Sequence, residues 1–283
     1  MNSNLMFRID ADYLKDLADK YQKDYAEAKP FPHIVIDNFL PEDILDGVLS
    51  EFPKAGDIDW QKFENKAEKK LANRHEKYMG DNTRFLLYQL NSSTFINFLE
   101  KLTGIQGIIP DPHYVGGGLH QIERGGYLKM HVDFNRHEEL RLDRRLNLLL
   151  YLNKDWQEEY GGYLELWDSK MTQCEKKILP IFNRLVIFTT TDFSYHGHPE
   201  PLTCPEGWTR KSLALYYYTN GRPAEEISGT GHSTIFQSRP GEEIKEKESL
   251  NTTAKVVLKK LVPPILIDVV TSLQNKQNSS ENK

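Results

Sequence analysis

Residues 116–133 read GGGLHQIERGGYLKMHVD, two short runs of alternating polarity at 119–122 and 128–133 with a glycine turn between them. Runs of this length, bounded by turn residues, signal strands rather than helices. The same texture extends to Thr219, with further strands expected at 146–152, 162–168, 177–180, 184–189, 194–198 and 211–218. About eight short strands with no helical period between them argue for an antiparallel jelly roll, the double-stranded β-helix, and against a βαβ sheet. The expected fold class is therefore an all-β core with flanking helices, the N-terminal ones acting as its support.

Outward from this core, Leu14, Leu17 and Tyr21 recur at helical spacing in an N-terminal segment, 1–29, that stops at Pro30-Phe31-Pro32. Residues 33–39 read as a buried strand. Leu40-Pro41 opens an amphipathic helix carrying Ile44, Leu45, Val48, Leu49 and Phe52. Residues 55–82 are charged and poorly periodic, which suggests a surface excursion. Ser92 or Ser93 caps a helix with Phe95, Phe98, Leu99 and Leu102 on one face, closed by Gly104. The expected organisation is a helical segment 1–29, a main domain 30–224 with its core at 115–220, and an extension 225–283. The extension holds an apolar, helix-like stretch at 256–273, a candidate surface for homo-oligomerisation, and a polar tail of disordered composition.

The 283 residues carry 36 Lys+Arg against 41 Asp+Glu, a net charge of −5. That balance lacks the basic surface a nucleic-acid partner requires. The apolar stretch at 256–273 is broken by Lys259, Lys260, Pro263, Pro264 and Asp268, so no membrane span is expected. Two cysteines, Cys174 and Cys204, make neither a disulfide framework nor a zinc quartet. With no leader-like start, a reducing cytoplasm is the expected location.

The chemistry centres on His131-Val132-Asp133. In a strand, residues i and i+2 leave the same face, so the imidazole and the carboxylate converge. A third donor stands in Ser194-Tyr195-His196-Gly197-His198, where either histidine qualifies. Two histidines and one carboxylate leave half of an octahedron open, the arrangement of non-haem Fe(II) oxygenases. Downstream, Arg210 would be an uncompensated charge at a barrel mouth unless an anion sits there, and a guanidinium fork suits a carboxylate. Ser212 shares its face. Asn135, Arg136, His120 and His137 flank the metal strand, Asn135 and Arg136 being candidate substrate contacts together with His198.

The ordered set HVD, RRLNLLLYLNKDW, GGYLELWD, NRLVIF with SYHGHP, and RKSLALYYY resembles the catalytic core of the Fe(II) and 2-oxoglutarate-dependent oxygenases of the prolyl 4-hydroxylase type, over about residues 115–220. The lead-in PFPHIVIDNFLP is similar to the start of many bacterial members. The resemblance implies iron held by His131, Asp133 and His196, preferred over His198 by the spacing from Arg184. It implies 2-oxoglutarate on Arg210 and Ser212, with Tyr151 on the same carboxylate and Asn147 sharing its face. It further implies O2 and an organic substrate as reactants, succinate and CO2 as products, and ascorbate as a supporting reductant. Asp133 favours hydroxylation over halogenation, because related halogenases replace that carboxylate with a small residue. Two departures stand out: a longer segment between His196 and Arg210, which keeps His198 open as a ligand, and Gln121 where prolyl hydroxylases often have tyrosine. The competing reading is a catalytically inactive jelly-roll module that keeps the metal site, and a cupin-like isomerase would share the ligands without needing Arg210.

Overall fold

The computed structural model describes residues 8–226 and 231–242. The chain divides into a unit Met1–Ile244 and a second, Lys245–Lys283. The second unit, with the apolar stretch and polar tail expected there, lies outside the described residues. All the elements named below belong to the first unit.

Helix α1 (Ala11–Glu27) is capped by Asp10, whose carboxylate accepts from Tyr13 N at 2.8 Å. It buries Leu14, Ala18 and Tyr25. Strand β1 (His33–Asp37) leads into α2 (Glu42–Ser50), then the hairpin β2 (Gln61–Glu64) and β3 (Glu68–Asn73), then α3 (Asp81–Leu90) and α4 (Ser93–Thr103). Ser92 caps α4, and Gly104 ends it in the left-handed conformation at φ 75°. The remaining strands are β4 (Ile109–Pro110), β5 (Gly118–Glu123), β6 (Tyr127–Val132), β7 (Asp143–Tyr151), β8 (Leu164–Trp167), β9 (Cys174–Ile178), β10 (Arg184–Thr189), β11 (His196–His198), β12 (Thr209–Thr219) and β13 (Ile235–Phe236). No described helix is long and apolar enough to cross a membrane.

All pairings are antiparallel, in the order β1-β10-β7-β12-β5-β3-β6-β11-β8-β9. The strand alternation of the jelly roll explains which residues reach its interior. In β7, Leu146, Leu148 and Leu150 join one core with α1–α4, as do Leu185 and Ile187 of β10 and Leu213, Leu215 and Tyr217 of β12. The intervening residues, Asn147 and Tyr151 of β7 and Arg210 and Ser212 of β12, therefore face the other way, into the barrel. The helices are fastened to this sheet by polar contacts as well. Tyr25 of α1 bonds Thr189 of β10 at 2.6 Å, and Tyr13 of α1 donates to Phe39 O, just past β1, at 2.7 Å.

The hairpin β2–β3 lies within 55–82, where the sequence suggests a surface excursion. Its polarity has a different origin. Glu68 and Lys70 of β3 pair at 3.0 Å, both poorly exposed, and line a cavity beside His120, Asp133 and Arg144. A strand facing such an interior carries no apolar alternation, so the usual signal is missing. Helix α3 begins at the end of the same charged segment. Cys174 and Cys204 are both free.

Candidate active site

Strands β6 and β11 pair so that His196 stands directly opposite His131. The approach depends on Gly197, where a Cβ would lie 2.8 Å from both Leu128 O and Lys129 O. With Asp133 just past the end of β6, ligand atoms of His131, Asp133 and His196 lie within 4.8 Å of one another. His131 Nε2 is 3.7 Å from Asp133 Oδ1, and His196 Nε2 is 3.3 Å from Asp133 Oδ2.

The ring tautomers follow from the backbone. His131 Nδ1 donates to Lys129 O at 2.8 Å and His196 Nδ1 to Ser194 O at 3.0 Å. A carbonyl only accepts, so in the neutral rings both Nε2 lone pairs point at the carboxylate. Burial, then His196, lowers the His131 pKa and keeps that ring neutral. Burial would raise Asp133, but the Arg144 guanidinium and then the two histidines outweigh it and hold the carboxyl well below its usual range. Two imidazole lone pairs and an anionic oxygen facing one point repel each other unless a cation lies between them. The donor set suits Fe(II), with one face of the coordination sphere left to other ligands.

The resemblance puts Asn147 on the co-substrate side. Instead, its Nδ2 donates to Asp133 Oδ2 at 2.7 Å, and its Oδ1 accepts from Arg144 Nε at 2.9 Å and Nη2 at 2.7 Å. Arg144 also lies 3.1 Å from Asp133 and is sandwiched between Phe134 and Tyr216, 4.4 and 3.4 Å from the ring centres. Arg144 is part of the β7 motif, but nothing in that motif marks it for this role. Only its contact with Asp133 reveals it.

Arg210 sits 5% exposed. Its Nε donates to Gly162 O at 2.9 Å and its Nη2 to Tyr151 OH at 3.2 Å. Ser212 is directly across from Tyr151 in the β12–β7 pair. Burial lowers the Arg210 pKa and raises that of Tyr151. No carboxylate pairs with Arg210 among the described residues, so a desolvated cation stands ready for an anion.

His198 is buried, and burial, then Arg210, Lys70 and His131, push its pKa well below the ordinary value. It is outside the three-residue metal cluster. Asn135 donates to Asp192 at 3.0 Å and accepts from His232 N at 2.9 Å, which ties the segment before β13 to the barrel. Arg136 lines an outer cleft with Phe63, Arg74 and Phe134. His137 is buried 3.6 Å from Asp111. Gln121 points away from the interior, accepting from Thr209 Oγ1 at 2.8 Å, and His120 is the β5 residue that lines the cavity. That cavity, about 220 Å³, is lined by His131 and Asp133, by Phe63, Phe134 and Tyr216, and by Phe236 of β13. The Phe236 ring lies 5.5 Å from that of His131. Nothing in the sequence around Phe236 marks it, because it reaches the metal strand only through β13 pairing with β6.

Residues 117–218 match the model of the 2OG-Fe(II) oxygenase superfamily. The jelly roll with its His-Asp-His cluster is similar to the fold and site of the 2OG-Fe(II) oxygenases, prolyl hydroxylases among them. Among curated proteins, mouse prolyl 3-hydroxylase OGFOD1 is 29% identical over 200 residues, covering 67% of this chain and 33% of the mouse protein. The chain thus spans about a third of that relative's length. Among solved structures, a Trichoplax adhaerens prolyl hydroxylase in complex with a hypoxia inducible factor peptide fragment has a TM-score of 0.50 at 19% identity, covering 73% of this chain and 91% of its own. A prolyl 4-hydroxylase from Phytophthora capsici has a TM-score of 0.50 at 19% identity, covering 76% and 68%. At these identities the two structures speak for the fold alone.

Proposed function

We propose that the protein is an Fe(II)- and 2-oxoglutarate-dependent hydroxylase acting on prolyl residues. The single observation that carries this reading is the pairing, inside one barrel, of a His131-Asp133-His196 donor set with a buried Arg210 that no carboxylate among the described residues pairs. An isomerase on the same ligands has no use for that cation. The prolyl class is supported by the mouse relative's activity and by the aromatic walls of the cavity, since Phe63, Phe134, Tyr216 and Phe236 offer faces on which a pyrrolidine ring packs.

When bound, Fe(II) with 2-oxoglutarate supplies the oxidising power: O2 and 2-oxoglutarate give succinate and CO2, one oxygen entering succinate and the other a substrate C–H bond. The chain's own residues bind and orient. His131, Asp133 and His196 would hold the metal. Arg144 and Asn147 fix Asp133, so its oxygens keep their direction. Arg210, Tyr151 and Ser212 receive the distal carboxylate of the co-substrate. Phe188, 4.7 Å from His196 ring to ring, and Phe236 keep the ligands dry. Ascorbate supports turnover by keeping iron ferrous, and the two free cysteines suit a reducing cytoplasm.

Incubating the protein with Fe(II), 2-oxoglutarate, ascorbate and a panel of prolyl peptides tests the reading. The expected result is succinate formation that rises with one peptide, together with the mass gain of one oxygen on it. Binding of metal and 2-oxoglutarate with no succinate under any condition would instead establish the inactive module.

A further inference from the structure

His198 stands apart from the other histidines around it. His131 and His196 each satisfy Nδ1 on a backbone carbonyl, His120 bonds Gly116 O at 3.0 Å through Nε2, and His33 bonds Phe31 O at 2.9 Å. His198 is 3% exposed, yet neither ring nitrogen has a hydrogen-bond partner. A buried polar group left this way costs stability, and an apolar side chain of similar size would remove that cost. The imidazole is therefore expensive unless something in the interior accepts from it.

Its position says what that is. His198 lies two residues beyond His196 on β11, opposite Leu128, itself a cavity-lining residue. Arg210 reaches the same stretch: its Nε bonds Gly162 O at 2.9 Å, and β8, which follows Gly162, pairs with β11 through Glu165 and Gly197. Arg210 carries the complementary deficit, a buried cation with no carboxylate among the described residues. Both deficits are met by one buried anion: a carboxylate pairs with the guanidinium and accepts the imidazole N–H.

We infer that His198 is a co-substrate-binding residue, donating a hydrogen bond to the carboxylate of 2-oxoglutarate that Arg210 pairs, and that it is not a metal ligand. This rests on the proposed function and adds a donor to the expected set of Arg210, Ser212 and Tyr151. A neutral imidazole keeps one N–H in either tautomer, so the role requires no change of protonation.

The test uses the full chain loaded with Mn(II), which occupies the site without turnover, and follows 2-oxoglutarate binding by titration calorimetry. His198→Leu is expected to weaken 2-oxoglutarate about ten-fold or more, the loss of one hydrogen bond to a charged group. Its Mn(II) affinity should match the wild type, and its metal-free form should melt at or above the wild-type temperature. Unchanged 2-oxoglutarate affinity overturns the inference. A fall in Mn(II) affinity comparable to that of His196→Ala overturns it by returning His198 to the metal, and a markedly lower melting temperature overturns it by making the ring structural. If wild-type Mn(II) protein takes up no 2-oxoglutarate, the proposed function falls and this inference with it. Wild-type binding with an unaffected variant removes the inference alone.

Discussion

Replacing Asn147 with leucine separates a role in orienting the metal from a role in holding the co-substrate. Asn147 spends its Nδ2 on Asp133 Oδ2 at 2.7 Å and its Oδ1 on Arg144 at 2.9 and 2.7 Å. Asn147→Leu keeps roughly the same volume but removes a donor to a buried carboxylate, a bond worth about 1.5–3 kcal/mol. It also strands two Arg144 nitrogens, leaving Asp133 as the carboxylate the guanidinium turns to, which draws that carboxylate away from the metal. Removing a group that orients a metal ligand lowers affinity about 10–100-fold, the same range the lost hydrogen bond implies. The assay is Mn(II) titration followed by the electron paramagnetic resonance of free Mn(II), then 2-oxoglutarate titration at saturating Mn(II). The expected result is metal binding weakened by that range, with near-normal 2-oxoglutarate affinity once the site is filled. Normal metal affinity with lost 2-oxoglutarate binding would refute the argument and place Asn147 on the co-substrate instead.

Two more outcomes are expected from the same geometry. Gly197→Ala puts a methyl group 2.8 Å from two β6 carbonyl oxygens, both backbone and unable to turn aside. β11 must move off β6, so metal affinity is expected to fall at least as far as in Asn147→Leu, and an alanine variant with wild-type Mn(II) binding would show that the close approach is dispensable. His120, at the cavity wall, has its pKa pushed from 6.5 down to about 3, first by burial and then by Lys70. Because the folded state binds this proton less readily than the unfolded one, the stability it contributes is complete above pH 6.5 and is lost as pH falls toward 3. The metal-free protein should therefore lose at most about 1.4 kcal/mol per pH unit through this group below that point. His120→Asn should flatten the acid side of the stability profile in urea titrations, and an unchanged profile would contradict the assignment.

The strands of the barrel are legible in the sequence because their outer face packs on helices. Leu146, Leu148 and Leu150 face the helices, and Asn147, Leu149 and Tyr151 share the opposite face, as their spacing implies. The same logic fails for β3, where Glu68 and Lys70 line the cavity yet their pattern is that of any solvated segment. Of the site, His131 and Asp133 pair from their spacing alone. His196 and Arg210 need the family resemblance, since 64 and 78 residues, and a register, separate them from the end of β6. What no pattern conveys is how an inward-facing group is spent: whether Asn147 reaches a metal ligand or a co-substrate depends on the few ångströms between β7 and the end of β6. Phe236 is beyond reach for a similar reason, since a two-residue strand carries no periodicity.

The proposed function requires Arg210 and the His-Asp-His cluster to serve one ligand together, and the most direct measurement of this is anaerobic calorimetry of 2-oxoglutarate with the wild type and Arg210→Leu, each with and without Fe(II). The expected result is saturable binding to the wild type that requires the metal, and its loss in Arg210→Leu despite unimpaired Fe(II) uptake. Metal-independent binding, or full binding in Arg210→Leu, would contradict it.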